Sequence, residues 1–478
     1  MSRYIKDNFY GWMSGDDVLG WADRYLYSDW IDVTWNSNFI QLANAPVEAI
    51  DTWSQVPKAF LWVFDKVSNT SKVLAFTDTG VYRTWTVWTV DSNIWITANF
   101  VIWWNLYLVR DNGATSTYTL YTETLSTAIS SSWTTSLVTT VWALSTSDND
   151  WYTWVTVLWD IAYIWLGDKI CRFEPTNLNT VTEFNIFWDE IVFVSYVSGY
   201  FRVYTKTWKL MLWDWTSEVI AESIDLKLPL EAWYQIWNID YLYSWLVWLH
   251  KGLYYMSWYD LVPLFKEMES EQLGEQKFSF QYLNDQSSMA NYWPTLFWHT
   301  DNSNVERLFQ FGKHIEWLPS AYMELPKYSS YGLEYTQIRW LCVSENTLYY
   351  GFNDWTNKWV DSINVSNIDV TKVKEWTIIT NVNPLWAWLY KKTAKYVYFK
   401  VWDVDADRTI EVHISYDWWA YSLLWTINTQ PLDNIARLPV QWDFRDYSIK
   451  FVLATTLSTS TSPKIYYWYA FDYEDHNI

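Results

Sequence analysis

Three aspartates at alternate positions, Asp403, Asp405 and Asp407 in D-V-D-A-D-R, form the run that could most directly hold a cation. Carboxylates at every second residue are what a calcium loop supplies, but that loop also needs glycine at its sixth position and glutamate at its twelfth. Arg408 and Ile414 stand there instead, so the run reads as a charged hairpin tip. The histidines His250, His299, His314, His413 and His476 fall in no metal-ligand spacing. No G-x-S-x-G, P-loop or G-x-G-x-x-G is present. Carboxylates are numerous enough for two to meet across a cleft, as glycoside hydrolysis requires. Abundance singles out none of them, and Arg83, Arg110, Arg172, Arg202 and Arg339 are scattered. The reading is a protein with no catalytic residue, no metal ligand and no cofactor.

Charge and cysteine usage narrow the classes further. A formal net charge of -21 over 478 residues disfavours the phosphate backbone of nucleic acid, which needs clustered Lys and Arg. Cys171 and Cys342 make neither a disulfide framework nor a zinc pattern, and each sits in an apolar run as a buried thiol would. No apolar run approaches the roughly 18 residues of a membrane span, and the start MSRYIKDNFYGW has no export signal.

The composition holds an anomaly: 41 Trp beside 12 Gly. At average usage of about 7% glycine, a chain this long carries nearly three times as many. The tryptophans stand where turns belong, as in Asp29-Trp30, Asp214-Trp215, Asp354-Trp355, Asp417-Trp418, Lys358-Trp359 and Trp188-Asp189. Asp-Gly and Asn-Gly mark hairpin turns because glycine takes φ > 0 without steric cost. A bulky side chain there is an outlier. With glycine written for tryptophan, Val101–Arg110 becomes V-I-G-G-N-L-Y-L-V-R and Phe187–Ile191 becomes F-G-D-E-I, both ordinary turns into strands. The expectation is that the source reads the UGA codon as glycine while this sequence carries Trp there. This resembles the recoding of a few uncultured bacterial lineages and their phages. A protein truly rich in tryptophan, such as one stacking sugars on indole faces, would instead gather its Trp on one face.

Three segments position these residues. Residues 1–45 are polar, aromatic and turn-rich, with a short strand and turn at Tyr25–Ile31, and read as a lead-in arm. Across 46–383 a hairpin unit recurs. Its copies include Val73–Arg83, Phe100–Arg110, Val157–Phe173, Ile191–Leu212, Thr295–Trp317 and Gln337–Val360. The clearest is the pair of runs Ile239–Leu249 and Leu253–Tyr259, closed before Pro263. Leu261–Gln276 is charged and could form a turn or two of helix, without a clean 3.6-residue stripe. Short strands repeating at roughly 25 to 55 residues, near the propeller-blade period, predict an all-β chain with a β-propeller of about seven loose blades. From 384 to 478, Tyr396–Val404 and Thr409–Tyr416 alternate strictly, and Phe444–Leu453 and Ile465–Tyr473 continue the pattern. This predicts a small C-terminal β-sandwich-like domain with one wet face.

Two resemblances bear on function. With Trp419 read as glycine, Ser415-Tyr416-Asp417-Trp418-Trp419-Ala420-Tyr421 resembles an Asp-box, S-x-D-x-G-x-T-W, with Tyr421 in place of Thr. That implies a structural turn in which Ser415, Asp417 and Trp419 take the motif's Ser, Asp and Gly places. The reinterpreted turns, the lead-in N-F-Y-G-W-M-S-G-D-D, the loose propeller and the β C-terminus together resemble phage virion β-propellers of tail-associated or head-to-tail hub type. The resemblance implies a structural protein that assembles with other virion proteins or copies of itself. It would be made in the host cytoplasm and released by lysis, engaging neither nucleic acid nor membrane. The alternatives are a propeller binding glycans or a cell surface, and a sialidase-like hydrolase, which would need arginines and paired carboxylates converging on a central channel.

Overall fold

Strand formers dominate the sequence, and in a computed structural model every regular element among the described residues is a strand. The structure describes residues 2–6, 25–29, 31–32, 39–52, 59–65, 70–77, 80–83, 86–89, 95–103, 105–111, 118–124, 136–142, 153–175, 180–189, 191–197, 199–205, 209–216, 218–223, 237–241, 244–249, 252–257, 260–266, 289–292, 295–302, 305–312, 321–325, 337–353, 358–365, 370–380, 383–384, 392–417, 420–444 and 446–475. The protein is all-β and is built largely from small antiparallel sheets.

Five successive sheets are four-stranded meanders, in which each strand pairs with the next. They begin at the strands Ala59–Asp65, Trp95–Ile102, Thr153–Leu158, Ile191–Val197 and Trp237–Tyr241. A sixth meander runs from Met289–Tyr292 to Ala321–Leu325 and continues into a larger sheet. In the seventh, Gln337–Ser344, Thr347–Asn353 and Lys358–Asn364 receive their fourth strand, Val47–Asp51, from the N-terminal side.

Where side chains are described, neighbouring sheets share a core, which explains why strands such as Ile161–Leu166 read as unbroken apolar runs. In Ile161–Leu166, the side chains of Ala162, Ile164 and Leu166 pack with Phe100, Tyr107 and Val109 of the second sheet. Tyr163 and Trp165, on the opposite face, pack with Val194, Phe201 and Trp213 of the fourth. Ile50 and Val360 of the seventh sheet share a cluster with Val73 and Ala75 of the first. Gln337–Ser344 also lies alongside Ala59–Asp65, so the last meander returns to the first.

The C-terminal region is two sheets sharing one core. Lys392–Trp402 pairs with Ile435–Phe444 and Lys464–Asp475, whereas Arg408–Tyr416 pairs with Ser422–Ile427 and Asp446–Thr455. Val397, Phe399 and Val401 are buried, as are Ile410, Val412 and Phe451, and the Phe399 and Phe451 rings meet edge to face at 5.3 Å. Glu375–Thr380, on the propeller side of the expected boundary at 383/384, joins the second of these sheets through Asp446–Thr455.

The arm is stitched into the same two sheets. Ser2–Lys6 and Phe39–Leu42 pair with Lys464–Asp475, Ile31–Asp32 pairs with Phe39–Leu42, and Tyr25–Asp29 pairs with Glu375–Thr380. Segment 39–52 runs without a break across the expected 45/46 boundary.

Two local expectations are corrected. Pro263 does not close the hairpin unit: the strand Asp260–Lys266 runs through it. It is the last strand of its sheet, where proline's missing N–H costs no ladder bond. The helical turn expected in Leu261–Gln276 is strand as far as Lys266, and its remainder lies outside the described residues.

Candidate functional site

One group of polar side chains lies at the seam between Val47–Asp51 and Lys358–Asn364. Ile50 lies opposite Val360, Glu48 opposite Asp361 and Val47 opposite Ser362. On the other side Asp361 faces Tyr350, so Tyr350, Asp361 and Glu48 form one row across three strands. The Asp361 side chain is fully buried, and the Trp359 indole Nε1 donates to its Oδ1 at 2.7 Å. Thr52 Oγ1 donates to the Lys358 carbonyl at 3.0 Å and ties off the end of the seam.

Burial raises the Asp361 carboxyl to about 7; the Trp359 hydrogen bond works against the rise, while the facing Glu48 adds to it. Tyr350, also fully buried, is pushed well above its ordinary value by burial and by Asp361. Because the folded-state pKa of Asp361 lies above its unfolded value, the native state binds the extra proton between about pH 4 and 7. Stability therefore falls as pH rises through that window, and the penalty is fully present above it. Asp361→Asn is expected to raise stability at pH 8 by about 2–4 kcal/mol, since one pKa unit is about 1.4 kcal/mol. It should change little at pH 4, and denaturant midpoints of both proteins at the two pH values check the difference.

Beyond the seam the chain makes a second tie. Lys372 is buried, and its Nζ donates to Asn44 Oδ1 at 2.6 Å, while Asn44 Nδ2 donates to the Asn364 carbonyl at 2.6 Å. Leu42 N donates to Ser462 Oγ at 3.0 Å. Segment 39–52 thus joins the last meander to the C-terminal sheets. Asp361 is legible in the sequence as a charge inside the apolar run W-V-D-S-I, but Glu48, 313 positions away by register, carries no such signal.

The Asp-box-like residues fall at the end of the strand Arg408–Tyr416. Ser415 is buried opposite Ser448, and Tyr421 Oη lies 2.8 Å from Ser448 Oγ. Asp417 takes φ 47°, a conformation aspartate tolerates at turns. Trp419 lies outside the described residues.

The aspartate tip is a tight hairpin closed by reciprocal Asp405 and Arg408 backbone bonds. Arg408 Nε donates to Asp405 Oδ2 at 3.1 Å, Lys464 Nζ donates to Asp403 Oδ2 at 2.6 Å, and Thr456 Oγ1 donates to Asp407 Oδ1 at 2.8 Å. Each carboxylate accepts from a different partner. Of the arginines, Arg172 pairs with Glu174 at 2.5 Å within the third sheet, and Arg202 is buried in the fourth. The side chains of Arg83, Arg110 and Arg339 lie outside the described residues. Cys171 is fully buried and Cys342 half-buried, and burial pushes both thiols up to about 12.

An aromatic patch joins the third and fourth sheets. The exposed Trp159 ring meets Trp215 at 5.8 Å and Tyr196 at 6.4 Å, both edge to face. Indole and phenol faces of this kind can stack on sugars, and the sequence did not mark Trp159 for it.

No protein-family model and no curated protein matches the chain. Among solved structures it is similar to the AfRom2 CNH domain, at 11% identity and TM-score 0.40, over 68% of this chain and 100% of that one. It is also similar to the computationally designed Ika8 protein, at 9% identity and TM-score 0.37, over 71% and 98%. A third is Kluyveromyces lactis Hsv2, at 9% identity and TM-score 0.34, over 69% and 94%. Likenesses this shallow do not decide the arrangement of the sheets; the strand pairings and shared cores do.

Proposed function

We propose that the chain is a structural phage virion protein, a tail or head-to-tail connector component that works through protein–protein assembly. In this reading the seven meanders are the blades of a β-propeller, and Val47–Asp51 is the strand that closes the ring. The observation that carries the proposal is that closure. One continuous segment, 39–52, completes the last meander and also pairs into the C-terminal sheets. A body clamped in this way holds its shape under load and presents its rims to neighbouring subunits, including copies of itself. The ionisable groups at the aspartate tip and the seam serve internal bonds, which suits a scaffold better than a hydrolase.

The test is peptide mass spectrometry of particles purified on a density gradient. The chain is expected to co-sediment with the major capsid protein at a fixed ratio. Its recovery only in the soluble fraction of infected cells would overturn the reading.

The patch of Trp159, Tyr196 and Trp215 favours a second reading, a glycan-binding propeller, which requires tryptophan at 159 and 215 in the natural protein and fails if glycine stands there. That reading expects binding on a glycan array that is lost in Trp159→Gly.

A further inference from the structure

We infer that glycine, not tryptophan, occupies positions 103, 159, 188 and 215 of the protein as its natural host makes it, the codon at each being UGA read as glycine. The inference does not depend on the virion reading. It rests on backbone geometry: Trp103, Trp159, Trp188 and Trp215 have φ of 54°, 46°, 54° and 58°. Left-handed backbone is costly for any L-residue because Cβ crowds the carbonyl oxygen, and glycine, asparagine and aspartate are the usual occupants. The other described residues in this region fit that rule, apart from Glu345: Asp160, Asp403, Asp417, Asn434, Gly167 and Gly199. Tryptophan is the outlier at all four of its places.

The chain supplies its own comparison. In the third sheet, two successive hairpins turn through Leu158-Trp159-Asp160-Ile161 and Leu166-Gly167-Asp168-Lys169, with Leu158 opposite Ile161 and Leu166 opposite Lys169. The first turn residue has φ 46° in one and 60° in the other. The first turn position is filled by tryptophan in one hairpin and by glycine in the next. At position 215, Asp214 Oδ1 accepts from the backbone and hydroxyl of Thr216, so the turn is shaped by its neighbours and not by the indole. Nor does burial explain three of the side chains: Trp188 is 92% exposed, Trp159 74% and Trp103 49%, whereas Trp215 is half-buried against the core of the fourth sheet.

Not every tryptophan behaves this way. Trp213 and Trp165 are fully buried among aromatic and aliphatic side chains, and their φ is negative. Trp359, which the sequence places at a turn, is instead buried in a strand and bonded to Asp361. Among the described residues the geometry therefore singles out four sites and makes no such assignment for the core.

The experiment reads the gene and the natural protein together. UGA at the four codons is expected, with peptides from the protein of its own host lighter by one tryptophan-to-glycine difference at each position. UGG, or a tryptophan mass, at any of the four overturns the inference. A second measurement needs only the written chain and its quadruple variant Trp103→Gly, Trp159→Gly, Trp188→Gly and Trp215→Gly, both made in a host of ordinary code. The variant is expected to melt at a higher temperature. An equal or lower midpoint overturns the argument from strain.

Discussion

Trp213→Ala is expected to lower the unfolding free energy by about 3–5 kcal/mol, the cost of removing a large buried aromatic side chain and leaving a cavity. The indole lies 5.0 Å from the Phe184 ring, 5.3 Å from Phe201 and 5.5 Å from Phe187, and its Nε1 donates to the Thr216 carbonyl at 2.7 Å. The third and fourth sheets meet on it, so the void would open between them. Trp188→Gly is expected to act in the opposite direction, raising stability by about 1 kcal/mol as the left-handed penalty is removed. Chemical denaturation of the two variants checks both signs. Equal effects would mean that position in the fold does not distinguish these tryptophans.

Ile50→Ala is expected to cost about 2–5 kcal/mol, the range for truncating a buried Ile. Ile50 is 1% exposed and packs with Val73, Ala75 and Val360, at the junction of the last sheet with the first. Its strand belongs to the seventh sheet but comes from the opposite end of the chain, so nothing covalent nearby restores the contact once it is weakened. The loss should appear as faster proteolysis of the N-terminal segment as well as a lower denaturant midpoint. Val47→Ala, on the same strand but 60% exposed, is the control and should change stability by less than about 0.5 kcal/mol. If Val47→Ala proved as damaging as Ile50→Ala, the side-chain packing of the seam would not be what holds it.

Local pattern is informative at some positions of this chain and silent at others. The alternation T-I-E-V-H-I-S-Y marks Arg408–Tyr416 as a strand with one buried face, and the structure buries Ile410, Val412 and Ile414. Turn positions at Trp103, Trp188 and Trp215 were legible because the missing glycines left a gap in the composition. Trp359 departs from that pattern, because its strand Lys358–Asn364 is paired on both edges, with Thr347–Asn353 and Val47–Asp51. The Asp361–Glu48 pairing and the buried bond between Lys372 and Asn44 were beyond reach, since each joins residues hundreds of positions apart.

By itself, then, the sequence determined the strand character of the chain, the recurrence of its hairpin unit and some of the places where the backbone bends, as at Trp188 and Trp215; the turns read at Trp30, Trp355 and Trp418 lie outside the described residues. Those properties follow from side-chain shape and spacing within a few residues. Only the tertiary structure decided that the N-terminal arm pairs into the C-terminal sheets, that Val47–Asp51 completes the last meander, and which tryptophans fill a core. β-Pairing is set by the fit of two surfaces that chain distance does not constrain, so neither strand carries the identity of its partner.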